Sequence, residues 1–157
     1  MQTNKENQFN IIGITARTSN KAEMQGNGLI PKLWQQFFAD QILSKIPNIT
    51  NHSIIVAYYD YASDKDGQYS VLIGARAPET DNLAHGMINV TIPAGNYAIF
   101  LSEQGPIAQV AFKTWQNIWH LEDQKELNRK YAVDYEIYDQ RAQNPANAQV
   151  EIHIRVD

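Results

Sequence analysis

The 157-residue sequence contains no cysteine. This absence excludes disulfide-stabilised scaffolds, thiolate zinc sites and cysteine nucleophiles. Only 19% of the residues are charged, and the formal net charge of −4 is spread without a block of Lys or Arg. Proteins that hold a nucleic-acid backbone need clustered basic residues, so we expect no direct nucleic-acid partner.

The sequence also lacks long apolar runs and clustered histidines. Apolar stretches such as Ile11–Ile14 are far shorter than the roughly 20 residues that span a bilayer, so we expect no membrane partner. The N-terminal segment is polar and has no signal-peptide pattern, which predicts a cytoplasmic location. The four histidines lie far apart along the chain, and we therefore expect no metal site and no cofactor.

The residues that are present predict a regular order of elements in the first half. The segment Phe9–Arg17 is short and rich in isoleucine, which is typical of a strand. An amphipathic pattern between Pro31 and Pro47 predicts a helix. A hairpin should follow, because Ser53–Tyr61 and Gln68–Ala77 are rich in β-branched and aromatic residues and flank a turn.

The second half repeats this order. Met87–Leu101 predicts extended segments, and Pro106 opens a stretch with helical spacing. Tyr131–Asp139 and Ala148–Val156 then predict a second hairpin.

A duplication explains the repeated order, and Trp34 and Trp115 of the two predicted helices lie 81 positions apart. We predict an α+β fold of two strand-helix-strand-strand modules, near 9–77 and 87–156, within a single domain over 1–157. The modules should have pseudo-twofold symmetry, with a central ligand groove at their seam. The alternative is an α+β domain whose element order repeats by chance.

Three segments carry a family resemblance: Ile30–Trp34, Ile92–Phe100 and Asp134–Tyr138. They resemble the GyrI-like, AraC-type effector-binding domains found alone or fused to bacterial transcription regulators. The resemblance implies a groove in which a carboxylate and aromatic rings bind cationic lipophilic compounds. The first predicted strand begins by residue 9 and leaves no room for a DNA-reading module, so the chain is similar to stand-alone members encoded on integron gene cassettes.

Strand alternation indicates which residues share a face with Glu136. Tyr138 lies on the same face, while Val133, Tyr135 and Ile137 lie on the other, which we expect the helices to cover. Tyr59 and Tyr138 are 79 positions apart, so the repeat places Tyr59 and Tyr61 with Glu136. The predicted ligand-binding residues are Glu136, Tyr138, Tyr59, Tyr61, Tyr97 and Trp34.

Each of these assignments has a structural alternative. Glutamate on a strand is usually solvated, and the tyrosines could simply pack on the sheet with exposed hydroxyls. Trp115 and Trp119 are expected in the core.

The expected function is binding of a small cationic lipophilic ligand, in which Glu136 supplies a counter-charge and ring faces add cation–π attraction. We assign no catalytic residue, because the sequence has no nucleophile elbow, phosphate loop or His-Glu-x-x-His motif. Two alternatives come from the family resemblance. One is a hydrolase of reactive electrophilic natural products with Glu136 as base, and the other is an inhibitor of DNA gyrase acting by protein contact. The protein partner, if any, is left open.

Overall fold

The computed structural model describes residues 2–157. Within this range the chain forms eight strands: β1 (Gln2–Glu6), β2 (Phe9–Ser19), β3 (Ile54–Tyr59), β4 (Gln68–Arg76), β5 (Met87–Ile92), β6 (Gly95–Leu101), β7 (Val133–Tyr138) and β8 (Glu151–Arg155). The four α-helices in the same range are α1 (Asn20–Met24), α2 (Ile30–Ala39), α3 (Ile42–Lys45) and α4 (Ile107–Asp123). A short 3-10 helix spans Gln140–Ala142.

The helices follow the apolar spacing of the sequence. Leu33 and Phe37 of α2 are four positions apart and buried together. The single helix predicted between Pro31 and Pro47 is divided into α2 and α3, because Gln41 adopts a left-handed backbone with a φ of 51°. No helix of the described chain is long and apolar enough to cross a bilayer.

All eight strands belong to one antiparallel sheet in the order β1-β6-β8-β7-β3-β4-β2-β5. This order is symmetric if β1 corresponds to β5, β2 to β6, β3 to β7 and β4 to β8. Reading the order from the other end then gives the same sequence of corresponding strands. The predicted α+β class of two related modules is therefore confirmed. The repeat boundaries near 9–77 and 87–156 stay our interpretation of this pattern.

The sheet closes on itself. β1 and β2 stand near opposite ends of the strand order, yet only two residues join them, and two residues likewise join β5 to β6. Glu6 pairs with Gly95, and Phe9 pairs with Ile92 in the same register. β1–β2 and β5–β6 therefore act as two long strands that pair along their length and complete a ring.

The two faces of this ring hold different cores. Helix residues such as Leu33 and Ile118 pack on the outer face, against Val56 and Ile152 respectively. The inner face is filled by strand residues alone: Phe9, Ile11, Ile55, Ala57, Tyr59, Leu72, Val90, Ile92, Tyr97, Val133, Tyr135, Ile137 and Ile88. The prediction that the helices cover the face of Val133, Tyr135 and Ile137 is wrong, because they cover the face of Glu136.

Candidate functional site

Glu136 lies at the seam of the two halves. It is in the middle of β7 and pairs directly with Val56 of β3, and these two strands are the central pair of the sheet. The side chain points to the helix-covered face and is only 3% exposed. The alternative of a solvated strand glutamate does not fit this burial.

Three neutral donors hold the carboxylate of Glu136. Trp115 Nε1–H and the Tyr58 hydroxyl donate to Oε2 at 2.6 and 3.0 Å, and the Tyr138 hydroxyl donates to Oε1 at 2.8 Å. Burial raises the pKa of Glu136 above its ordinary value, and the three hydrogen bonds offset only part of that rise. Burial and the nearby carboxylate also raise the pKa values of Tyr58 and Tyr138 well above the ordinary value, so both hydroxyls remain donors at neutral pH.

Glu136 has no basic partner among residues 2–157, since none of the ion pairs in that part of the chain includes it. A buried carboxylate without a counter-charge is costly to a folded protein. The site therefore has an unbalanced negative charge that a cation could neutralise.

A large groove of about 890 Å³ lies between α2 and α4, on the Tyr138 side of Glu136. Trp34 and Phe38 of α2 form one wall, and Ile107, Ala108 and Ala111 of α4 form the other. The polar end of the groove is formed by Asn51, His52, Ser53, Asp139, Gln140 and Gln143. Such a mixture of aromatic walls and a few polar groups is typical of small-molecule sites.

A small cavity of about 140 Å³ lies on the other side of Glu136. Two of the three donors to Glu136, Tyr58 and Trp115, line it. Its other lining residues include Tyr61, Tyr69, Trp119 and Arg129.

The two cavities have matching aromatic walls. In the large groove, the rings of Trp34 and Tyr138 meet edge to face at 5.2 Å and 75°. In the small cavity, the rings of Trp115 and Tyr58 meet at 5.3 Å and 76°. One carboxylate thus stands between two equivalent tryptophan–tyrosine pairs.

The structure brings four of the six predicted residues to this region. Trp34 and Tyr138 line the large groove, and Tyr61 lines the small cavity. Glu136 lies between the two and accepts the hydrogen bond of Tyr138. Tyr61 reaches the helix-covered face because β3 ends at Tyr59 and the next residue has a φ of 54°.

Tyr59 and Tyr97 lie elsewhere. Both belong to the core of the inner face, where the Tyr59 hydroxyl bonds Thr15 Oγ1 at 2.9 Å and the Tyr97 hydroxyl donates to the Pro93 carbonyl at 2.6 Å. The prediction that Tyr59 shares the face of Glu136 is wrong. The residue on that face is its neighbour Tyr58, because adjacent strand residues point to opposite faces.

Sequence reasoning missed Tyr58, Trp115 and Arg129. The 81-residue spacing between Trp34 and Trp115 was a usable signal, since it implies matching positions for both tryptophans. Trp115 and Trp119, expected in the core, both line the small cavity, and Trp115 also packs against the core cluster around Ile118. Within residues 2–157, no cluster of three or more His, Asp or Glu residues could hold a metal ion.

The chain is similar to several known proteins. The model of the family described as "GyrI-like small molecule binding domain" matches residues 2–157. YobU, a candidate transcriptional regulator of Bacillus subtilis, is 34% identical over 145 residues, which are 92% of this chain and 89% of YobU.

Two solved structures share the fold. The integron cassette protein VCH_CASS2 of Vibrio cholerae is 25% identical, with a TM-score of 0.78 and coverage of 99% of this chain and 95% of that one. SAV2435, solved bound to tetraphenylphosphonium, is 17% identical, with a TM-score of 0.79 and coverage of 99% and 93%.

Proposed function

The chain belongs to the family of GyrI-like small-molecule binding domains, and on that premise we propose that it binds cationic lipophilic compounds in the large groove. The observation that carries the proposal is the buried carboxylate of Glu136, which three neutral donors hold and which has no basic partner among residues 2–157. A bound cation would supply the missing counter-charge. The cytoplasm remains the predicted location, which the similarity to YobU favours.

The groove has the size and lining that such a ligand needs. Its volume of about 890 Å³ can enclose a compound with several aromatic rings. The faces of Trp34, Phe38 and Tyr138 can each add cation–π attraction of about 0.5–2 kcal/mol. The binding of tetraphenylphosphonium by SAV2435, which has the same fold, supports this ligand class.

Glu136 acts on the ligand from behind Tyr138. Tyr138 lines the groove and donates its hydroxyl to Glu136 Oε1, so its ring lies between the carboxylate and the ligand. Charges interact more strongly where protein excludes water, because the effective dielectric constant is lower there than in solvent. Glu136 can therefore select a cation without touching it.

Replacing Glu136 with Gln should weaken tetraphenylphosphonium binding by about ten- to a hundredfold, because two unit charges about 6–10 Å apart at an effective dielectric constant of about 20 attract each other by about 1.7–2.8 kcal/mol. Gln has nearly the same shape, so the uncharged triphenylphosphine oxide should bind the variant and the original protein alike. Isothermal titration calorimetry measures both affinities. Glu103→Gln is the matched control, because Glu103 is an exposed glutamate whose carboxylate pairs with Lys113. Equal cation affinity in Glu136→Gln would contradict charge recognition.

Cation affinity should also rise with pH. Burial raises the pKa of Glu136 above 4.5, so the empty site holds its proton to a higher pH than an exposed glutamate does. A cation favours the ionised form, so affinity should increase as pH rises through this raised pKa and then become constant. The stability of the protein without ligand has the opposite pH dependence. Its free energy of unfolding falls as pH rises through the same range, because the buried carboxylate becomes ionised. Titrations across this range should show the dependence in the original protein and a flat profile in Glu136→Gln.

The hydrolase alternative is favoured by one observation. A buried glutamate with a raised pKa, next to two tyrosine hydroxyls, can take a proton from water as a general base. Mass spectrometry after long incubation separates the two roles. A ligand recovered unchanged fits binding, whereas consumption of an electrophilic compound that is lost in Glu136→Gln fits hydrolysis.

A further inference from the structure

We propose that the small cavity is a second cation site, in which aromatic rings and Glu23 bind the quaternary ammonium group of a small organic compound. The proposal goes beyond cation binding in the large groove and does not depend on it, because Glu23 and these rings do not line that groove.

The walls of the small cavity are mostly aromatic. Its volume of about 140 Å³ is close to that of a cavity in another protein that binds benzene, and a trimethylammonium group is of similar size. Tetraphenylphosphonium, with four phenyl rings, is too large for it. Ring faces attract cations, and cages of several rings are a common way to bind quaternary ammonium groups. The rings here are those of Tyr58, Tyr61, Tyr69, Phe112, Trp115 and Trp119.

The polar atoms of these walls are paired within the protein. The Tyr58 hydroxyl and the Trp115 indole N–H both donate to Glu136. The Tyr69 hydroxyl donates to Asn20 Oδ1 at 2.8 Å. The walls therefore present mainly ring faces to a ligand. A quaternary ammonium group has no N–H donor that would need an acceptor, so it loses little on entering such a cavity.

Glu23 of α1 supplies a negative charge in the cavity wall. Its carboxylate accepts hydrogen bonds from the Thr18 hydroxyl at 2.6 Å and from the amides of Leu29 and Ile30 at 2.7 and 3.3 Å. These donors are neutral, and Glu23 takes part in none of the ion pairs within residues 2–157. The positive end of α2 offsets part of the charge, and the remainder can attract a cation.

Glu136 adds a second negative charge from behind the walls, where it accepts the hydrogen bonds of Tyr58 and Trp115. The effect of both carboxylates reaches Tyr69. Burial raises the pKa of Tyr69 above its ordinary value, and the charges of Glu23 and Glu136 raise it further. The ring of Tyr69 therefore lies in the negative field that a bound cation would meet.

The two basic side chains that line the cavity have acidic partners. Arg129 lies 2.7 Å from the Asp134 carboxylate and 3.6 Å from that of Glu122. Lys65 Nζ lies 3.4 Å from Asp66. Three acidic partners thus balance two basic groups, and the two carboxylates described above remain without a basic partner. The cavity therefore favours a cation over a neutral compound of the same shape.

Choline and 3,3-dimethyl-1-butanol are matched probes, because a carbon atom of the alcohol replaces the charged nitrogen of choline. In ¹⁵N–¹H spectra the indole signal of Trp119 reports on the small cavity, and that of Trp34 reports on the large groove. Saturating choline should shift the Trp119 signal, both alone and when tetraphenylphosphonium fills the large groove. Choline should bind at least about tenfold more tightly than the alcohol.

Glu23→Gln removes the charge in the cavity wall and nearly keeps the shape of the side chain. Its affinity for choline should be about tenfold lower than that of the original protein. Its affinities for the alcohol and for tetraphenylphosphonium should change little, because Glu23 does not line the large groove. Glu103→Gln is again the matched control, since Glu103 does not line the small cavity.

Four results would overturn the proposal: equal affinity of the original protein for the two probes, a choline shift confined to Trp34, loss of the Trp119 shift when tetraphenylphosphonium is added, or unchanged choline affinity in Glu23→Gln. If Glu23→Gln does not fold, the two probes decide on the original protein. Equal tetraphenylphosphonium affinity in Glu136→Gln would contradict the proposed function alone, because the small cavity is tested through Glu23 and Trp119.

Discussion

Replacing Arg129 with Met should lower the free energy of unfolding by about 3–5 kcal/mol, the cost of leaving a buried charge without its partner. Asp134, the partner of Arg129, is 0% exposed, and its Oδ2 lies 2.7 Å from the guanidinium. Burial opposes the charge of Arg129, but Asp134, Tyr61 and Tyr131 together outweigh that effect and raise the pKa of Arg129 above its ordinary value. The variant would also lose the contact of the guanidinium with the Tyr131 ring, at 4.2 Å. Urea unfolding followed by circular dichroism measures the loss.

The partner variant separates charge from packing. Asp134→Asn together with Arg129→Met removes both charges, so the double variant should be more stable than the sum of the two single losses predicts. Surface pairs provide the comparison, because Glu103→Gln breaks the exposed contact with Lys113 and should cost less than about 1 kcal/mol. Additive losses in the double variant would show that Arg129 and Asp134 are not energetically coupled.

Gly74→Ala should be the most damaging single-methyl change in the sheet. Gly74 of β4 faces Gly13 of β2, and a Cβ at Gly74 would lie 1.9 Å from the Ile12 carbonyl oxygen. Backbone cannot move aside as a side chain can, so the two strands must separate. We expect a loss of about 3 kcal/mol, at the upper end of the overpacking range, which corresponds to a fall in Tm of about 6–12 °C.

Gly105→Ala is the matched control for this clash. A Cβ at Gly105 would lie 3.1 Å from a methyl group of Val110, a side chain that can shift by a few tenths of an ångström. Thermal unfolding should show little change in Gly105→Ala. A similarly small change in Gly74→Ala would contradict the close approach of β2 and β4.

Most of the fold was predictable because its elements bury apolar residues at regular spacing. β2, β3 and α4 have clear patterns, and the sequence predicts each within a few residues of its observed bounds. β1 was not predictable, since Gln2–Glu6 is polar and largely exposed. Its backbone pairing with β6 makes it a strand, and local residues carry no signal of such a distant partner.

The sequence predicts the types of residue that form the candidate site, but it does not predict which tyrosine of β3 shares the face of Glu136. Glu136 and Tyr138 are on one face as alternation requires, and Trp34 lies beside Tyr138. A spacing error of one residue between the halves selected Tyr59 instead of Tyr58, and a one-residue error in a strand exchanges its two faces. The role of Trp115 depends on an indole N–H that reaches a carboxylate of another element, which no periodicity reveals.

The closed ring makes the two halves dependent on each other for folding. β1 completes the edge of β6, and β5 completes the edge of β2, so each half lends its first strand to the other. A half on its own would leave strand edges unpaired and the apolar inner face open to water, which promotes aggregation. The arrangement is that of a domain-swapped dimer whose two halves, which exchange β1 and β5, are joined in one chain. Cleaving the 77–86 connection should therefore give two fragments that fold only when mixed. Unfolding should accordingly be a single cooperative transition, in which neither half survives the loss of the other.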